Sequence, residues 1–233
     1  MSAGTALAGV RTRLAGPGGA GLPALWPLAA GGLLLALLWL GPLPERARGS
    51  FAAHMVMHMG LVAVAAPLLA VGLLRAMPAL FSRLTPGVAI FASLLEFVVV
   101  WGWHAPALHD GARARLDLLL LEQGSFLLAG LLVWTSAFGA AGSGRTAARA
   151  AGVLALLLTS MHMTLLGGLL LFAPRPLYAC ADLCAPAAAL TPLGDQQAGG
   201  ALMLTVGGIA YLAGGLVLLA SILSDRPRQG EVS

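Results

Sequence analysis

Charge is what this chain has least of. Asp, Glu, Lys and Arg make up 9% of its 233 residues, where a water-soluble domain carries roughly 25%. Hydrophobic residues make up 59% and the mean hydropathy is +0.90. That balance excludes a soluble domain and predicts an integral membrane protein. Lysine is absent, and all 13 basic residues are arginines. A net charge of +4 and a pI near 10 would suit a nucleic-acid partner. The arginines are instead scattered in pairs between apolar runs, as topology signals are, so nucleic acid is excluded. Two cysteines, Cys180 and Cys184, are too few for a disulfide framework. No nucleophile–base pair and no phosphate-binding loop stands out, so no enzymatic turnover is expected.

Long apolar runs are what is there. Leu22 to Leu40 is about long enough to cross a bilayer. Its rival reading, a signal peptide, would have an unusually long apolar core and a poor cleavage region in GPLPERARGS. Further spans are expected near His54–Leu74, with a kink at Pro67, and near Gly87–Trp103, Leu118–Phe138, Ala150–Phe172 and Ala198–Leu223. The fold class is therefore an all-α polytopic bundle of about six transmembrane helices. It forms one membrane domain over 22–223, between an N-terminal tail over 1–21 and a C-terminal tail over 224–233. Gly41–Phe51 and the segment after Trp103 read as loops. Gly167, Gly168, Gly207, Gly208, Gly214 and Gly215 read as close helix packing.

With six spans, both termini share a side. That side carries Arg11, Arg13, Arg75, Arg83, Arg145, Arg149, Arg226 and Arg228, 8 in all, against 5 on the other: Arg46, Arg48, Arg113, Arg115 and Arg175. The positive-inside rule then puts both termini in the cytoplasm of a plasma (inner) membrane. All five histidines fall in the outer half, facing the periplasm. His162 lies about ten residues below the outer end of its helix, or ~15 Å at about 1.5 Å per residue.

The densest polar feature is HMVMHM, His54 to Met59. His54 and His58 are one turn apart on one helix face. Imidazoles beside thioethers suit copper, above all Cu(I). The plainer reading is a snorkelling His54 with Met55, Met57 and Met59 as filler. His104 ends the third span after two tryptophans, where a satisfied interfacial histidine is the alternative. His162 sits in a second such pattern, Met161-His162-Met163; an isolated interhelical hydrogen bond would also explain it. His109 reads first as a solvated loop side chain and only secondarily as a ligand. Cys180 and Cys184 are open between Cu(I) binding, a disulfide and free thiols. Glu96, Glu122, Asp195 and Gln196 are expected to orient ligands or carry protons.

Five blocks in order, HMVMHMGLVAVAAPLLAVG, WHAPALHD, LEQGSFLLAGLLVW, MHMTLLGGLLLFAPRPLY and GDQQAGGALM, resemble the CtaG family of assembly factors for caa3-type cytochrome c oxidase. The resemblance covers roughly Ala52 to Met203. It implies a plasma-membrane protein that helps deliver copper to the Cu(B) centre of the oxidase catalytic subunit. The family's histidine pair falls on His54 and His58, its WHxP histidine on His104, its APRPLY block on Ala173–Tyr178 and its DQ pair on Asp195 and Gln196. The chain departs from it at Gln123, where the family often has histidine, and at His109, where it more often has tyrosine. The usual Trp-Pro after Met203 is replaced by Leu204 and Thr205, and members commonly have seven spans.

The mechanism expected from this reading is transient capture of Cu(I) from the periplasmic side, with a periplasmic copper chaperone as the source. His54, His58, His104, His162 and the methionines 55, 59, 161 and 163 are the candidate ligands. Docking against the catalytic subunit passes the ion on. Two other classes remain: a haem-binding cytochrome with His58 and His162 as axial ligands, and a small proton or ion transporter using Glu96 and Glu122.

Overall fold

The structure is a computed structural model that describes residues 25–81, 84–139, 145–178 and 190–224. The first 24 residues, Arg83, Cys180, Cys184 and the tail beyond Ser224 lie outside the described residues. The described residues are mostly helical and include no strand: α1 (Trp26–Leu40), α2 (Leu43–Gly49), α3 (Phe51–Met59), α4 (Ala66–Ala76), α5 (Pro78–Phe81), α6 (Pro86–Trp103), α7 (Pro106–Ala114), α8 (Leu116–Phe138), α9 (Arg145–Leu171), α10 (Pro192–Leu202) and α11 (Gly208–Ser224).

Five stretches are long and apolar enough to cross a membrane: Phe51–Ala76, Pro86–Trp103, Leu116–Phe138, Thr146–Leu171 and Pro192–Ser224. A sixth is made if α1 and α2, bent by 49° at their junction, count as one. Large apolar side chains such as Leu33, Phe91, Leu128, Leu165 and Val217 cover the outside. Such a surface is stable against lipid and not against water.

Two spans are continuous only through π-helical turns. Gly60–Ala65 joins α3 to α4, and Met203–Gly207 joins α10 to α11. The first answers to Pro67, which has no N–H to give to Ala63 and whose ring crowds the preceding turn. The expected kink at Pro67 is thus absorbed just upstream of it. The carbonyl of Val62, inside that turn, accepts the indole N–H of Trp134 at 2.9 Å, with the Tyr211 hydroxyl 3.4 Å away. Neighbouring helices thereby re-satisfy the backbone that the irregular turn leaves.

Helix α9 packs against α6, α8, α10 and α11 and so forms the centre of the bundle, while α1 lies against α4. Gly72 permits the α1–α4 crossing, since a Cβ there would stand 2.7 Å from the backbone nitrogen of Leu28. Gly167 does the same between α9 and α10, where a Cβ would stand 2.7 Å from the Leu204 nitrogen. Gly168, expected at a helix contact, instead faces open space.

The segments read as loops are the main correction. Residues 43–49 form α2, and residues 106–114 form α7. Pro106 stops α6, but it also sits at the start of α7, where its fixed φ suits a first turn and its missing N–H costs nothing.

A buried imidazole–carboxylate cluster

Asp195 of α10 starts the helix that carries the first two histidines. Its carboxylate accepts from the Ser50 hydroxyl at 2.7 Å, from the Phe51 N–H and from the Ala52 N–H at 3.2 Å. Ser50 in turn accepts from the Ala53 N–H at 3.1 Å. The exposed amides at the start of α3 are therefore capped twice, once within the chain and once by an anion from a distant helix. Asp195 is a positioning residue for α3. Gln196 positions the other wall: it accepts from the Leu177 N–H at 2.7 Å and donates to the Leu170 carbonyl at 3.2 Å. This holds the segment leading to Tyr178.

Four imidazoles then meet at one end of the bundle. The His54 ring lies edge-on to His109 with centroids 4.7 Å apart, His58 is 5.5 Å from His104, and His104 is 6.3 Å from His109. Phe126 closes one side, 4.0 Å from His58. Phe51 and Tyr178, stacked at 4.8 Å, close another against His109. Glu122 brings a carboxylate into ligand range of His54 and His109. One ligand atom each from His54, His109 and Glu122 lies within 4.8 Å of the other two. Oε1 of Glu122 is 3.4 Å from Nε2 of His54, and its Oε2 accepts from Nε2 of Gln123 at 3.1 Å. All of these residues are 8% exposed or less.

The hydrogen bonds leave lone pairs aimed inward. Nδ1 of His104 is 2.7 Å from the Val100 carbonyl, which can only accept. Nδ1 therefore carries the proton, and Nε2 is left as a bare acceptor without a partner. Both ring nitrogens of His58 and of His109 are likewise unpartnered. Burial pushes the His104 imidazole down to about 4. Burial, followed by the facing imidazoles His54 and His104, holds His109 well below its usual range. Both are neutral at pH 7, the form in which imidazole ligates a metal. A buried polar atom without a partner costs about 1–3 kcal/mol, so this concentration of them at one spot fits a bound cation.

His109 is thus corrected from a solvated loop residue to a buried member of the cluster, 0% exposed. Its burial was hidden because α7 was not foreseen. The signal was PALHDGARA, where His109, Ala112 and Arg113 recur at helical spacing and are all buried. Arg113, in the sequence only one of the arginines that mark topology, donates through Nε and Nη2 to the Arg48 carbonyl at 3.0 and 2.6 Å, tying α7 to the end of α2. Tyr178 was known only as the end of a block; its hydroxyl donates to the His104 carbonyl at 3.1 Å.

The other candidates fall elsewhere. Met55 and Met59 follow the stripe next to the histidines, about 100° round the helix. They face Gly199 and Gly207 of the last span, where Met163 is also buried. Met161 is 63% exposed on the outside of α9 and does not share a site with its neighbour His162. His162 packs its ring against Phe97 at 5.4 Å and makes no ring contact with the four clustered imidazoles. Glu96 accepts from the Tyr211 hydroxyl at 2.7 Å, apart from the cluster. Beside it, Ser93 and Thr159 share a hydrogen bond of 2.9 Å.

Fold and site together define a multi-pass helical membrane protein with a candidate metal centre buried at one end of its bundle. The chain belongs to the family of cytochrome c oxidase caa3 assembly factors (Caa3_CtaG), whose family model matches residues 6–225. No curated protein matches the chain, and no solved structure does.

Proposed function

We propose that this assembly factor holds Cu(I) as cargo in the cluster and passes it to the Cu(B) centre of the oxidase catalytic subunit. The observation that carries the reading is the convergence of His54, His109 and Glu122 within 4.8 Å. Beside it stand the unpartnered nitrogens of His58 and His104.

Charge favours the monovalent ion. A ligating carboxylate is ionised and ligating imidazoles are neutral. Cu(I) on His54, His109 and Glu122 therefore leaves no net charge, whereas Cu(II) or Zn(II) would leave a positive one in a buried site, which is costly. Imidazole is a good copper ligand. His58 and His104 form a second pair against the first, so the ion can change partners without meeting water. Met55, Met59 and Met163 line the neighbouring helix contact as thioethers, and His162, without a ring contact to the cluster, lies within electrostatic reach of His58; they offer a further route and not the first station.

The arginine distribution supports a periplasmic position for the cluster end, with both termini cytoplasmic in the plasma membrane. A periplasmic chaperone then meets the end of the bundle that encloses the cluster. The haem reading loses its geometry, because His58 is packed against Phe126 at 4.0 Å and against a second histidine.

The test is copper in the client. Cells making only the His54→Ala/His109→Ala variant should assemble an oxidase catalytic subunit that is depleted of copper. A fully copper-loaded oxidase in those cells would refute delivery by this site.

A further inference from the structure

The clustered side chains have no open route to water. His54 is 1% exposed, and His58, His109 and Glu122 are 0%. An ion bound among them can enter and leave only where the wall opens. Two short helices, α2 and α7, form part of that wall at the surface. Glu45, Arg46 and Arg48 of α2 are exposed, as are Pro106, Ala107 and Leu108 of α7. A cleft runs between the two helices. Ala47 and Arg48 line one side, Ala112 and Arg113 the other, and His54 lines it as well.

One side chain bridges this cleft. Arg113, 4% exposed, donates through Nε and Nη2 to the Arg48 carbonyl at 3.0 and 2.6 Å. The acceptor is a neutral carbonyl and not a carboxylate, so the tie is weaker than a bidentate ion pair. The guanidinium also sets a positive charge in the mouth, which repels an arriving cation. Helix α7 is framed for movement. An extended residue stands at each end, Ala105 with ψ 130° and Arg115 with ψ 128°, so α7 does not continue α6 or run on into α8. Residues at element ends absorb the dihedral changes of a hinge. The helix packs more on α8 than on α2, which favours a pivot on α8 that parts it from α2.

We infer that α7 is a hinged lid over the cluster and that Arg113 is its latch. Release of Arg113 from the Arg48 carbonyl opens the cleft onto His54 and carries His109 out with the lid. The ion then loses one ligand as its exit opens. The lid's service to an ion rests on the cargo reading above, whereas the lid itself is tested on metal-free protein.

The test labels a buried position in the mouth. Ala112→Cys, in the full chain with Cys180→Ser and Cys184→Ser, is reacted metal-free with a water-soluble maleimide in lipid nanodiscs. Ala129→Cys, buried farther along α8, is the control for general loosening. Arg113→Gln should speed labelling of Ala112→Cys about tenfold, the factor that a lost charge-assisted hydrogen bond is worth, and leave Ala129→Cys unchanged. Arg113→Lys, which still donates, should fall between. With Cu(I) and a competing chelator, Arg113→Gln should accelerate loading and release alike. Unchanged labelling of Ala112→Cys, or equal acceleration at both positions, overturns the lid. Faster release without faster loading overturns it too, since that marks damage to the ion's ligands. A wild type that binds no Cu(I) sinks the cargo reading alone, and the labelling then decides the lid by itself.

Discussion

Nε2 of His54 stands 3.4 Å from Oε1 of Glu122, both fully enclosed and both free of stronger hydrogen bonds at those atoms. Two groups of this kind, in a place that excludes water, have a use for a cation between them.

Glu122 is therefore expected to matter through its charge. Glu122→Gln keeps the shape and removes the negative charge that balances Cu(I). Cu(I) affinity should fall at least about tenfold, the equivalent of ~1.4 kcal/mol, with helical content unchanged. Anaerobic titration against a Cu(I) chelator reads this directly.

Asp195 is expected to act on stability first. Asp195→Ala removes three acceptor contacts at the start of α3 and should cost about 0.5–2 kcal/mol. Asp195→Asn should recover part of that, since an amide oxygen still caps. Denaturation in detergent micelles, compared across the three proteins, gives the order. A metal loss in Asp195→Ala larger than in Asp195→Asn would follow from the displaced histidine helix.

Acid should destabilise the metal-free protein over a defined window. The folded-state value of His104 is about 4, against roughly 6.5 for an exposed histidine. Between those limits the unfolded chain binds the proton and the folded one does not. Stability thus falls as pH drops from about 6.5 to about 4, by up to ~3 kcal/mol from this residue. His104→Phe should flatten that part of the pH profile.

Glu96 separates carriage of copper from ion transport. It is tied to Tyr211 at 2.7 Å and lies apart from the clustered rings. Glu96→Gln should leave Cu(I) affinity within about twofold of wild type, since the change is distant from the bound ion. A copper-independent proton flux in proteoliposomes that vanished in this variant would argue for the transporter instead.

The spans were legible because a bilayer demands long apolar runs, and each one found matches a stretch that the hydropathy marks. The gathering of His54, His58, His104 and His109 at one end of the bundle is legible for the same reason, since it needs little more than span boundaries, whereas His162 lies within its helix against Phe97. Side-chain direction was harder. Met55 and Met59 looked like partners of His54 and His58 by proximity in sequence, but one step along a helix turns a side chain by about 100°, onto the contact with the last span. Met161 beside His162 failed in the same way. His109 was lost because Pro106 was read only as a terminator. Asp195 and Gln196 stand out in the sequence as polar residues, but their task, capping α3 and anchoring the segment before Tyr178, depends on contacts between residues 145 and 19 positions apart. No local pattern encodes those.

The central claim is that His54 and His109, from two elements, hold the ion together. The most direct measurement is anaerobic Cu(I) titration of the purified full chain against a competing chelator, wild type beside His54→Ala/His109→Ala. The wild type should bind tightly and the double variant should lose at least about a hundredfold, roughly 2.7 kcal/mol, with unchanged helical content. Equal Cu(I) affinity in the two proteins would contradict it.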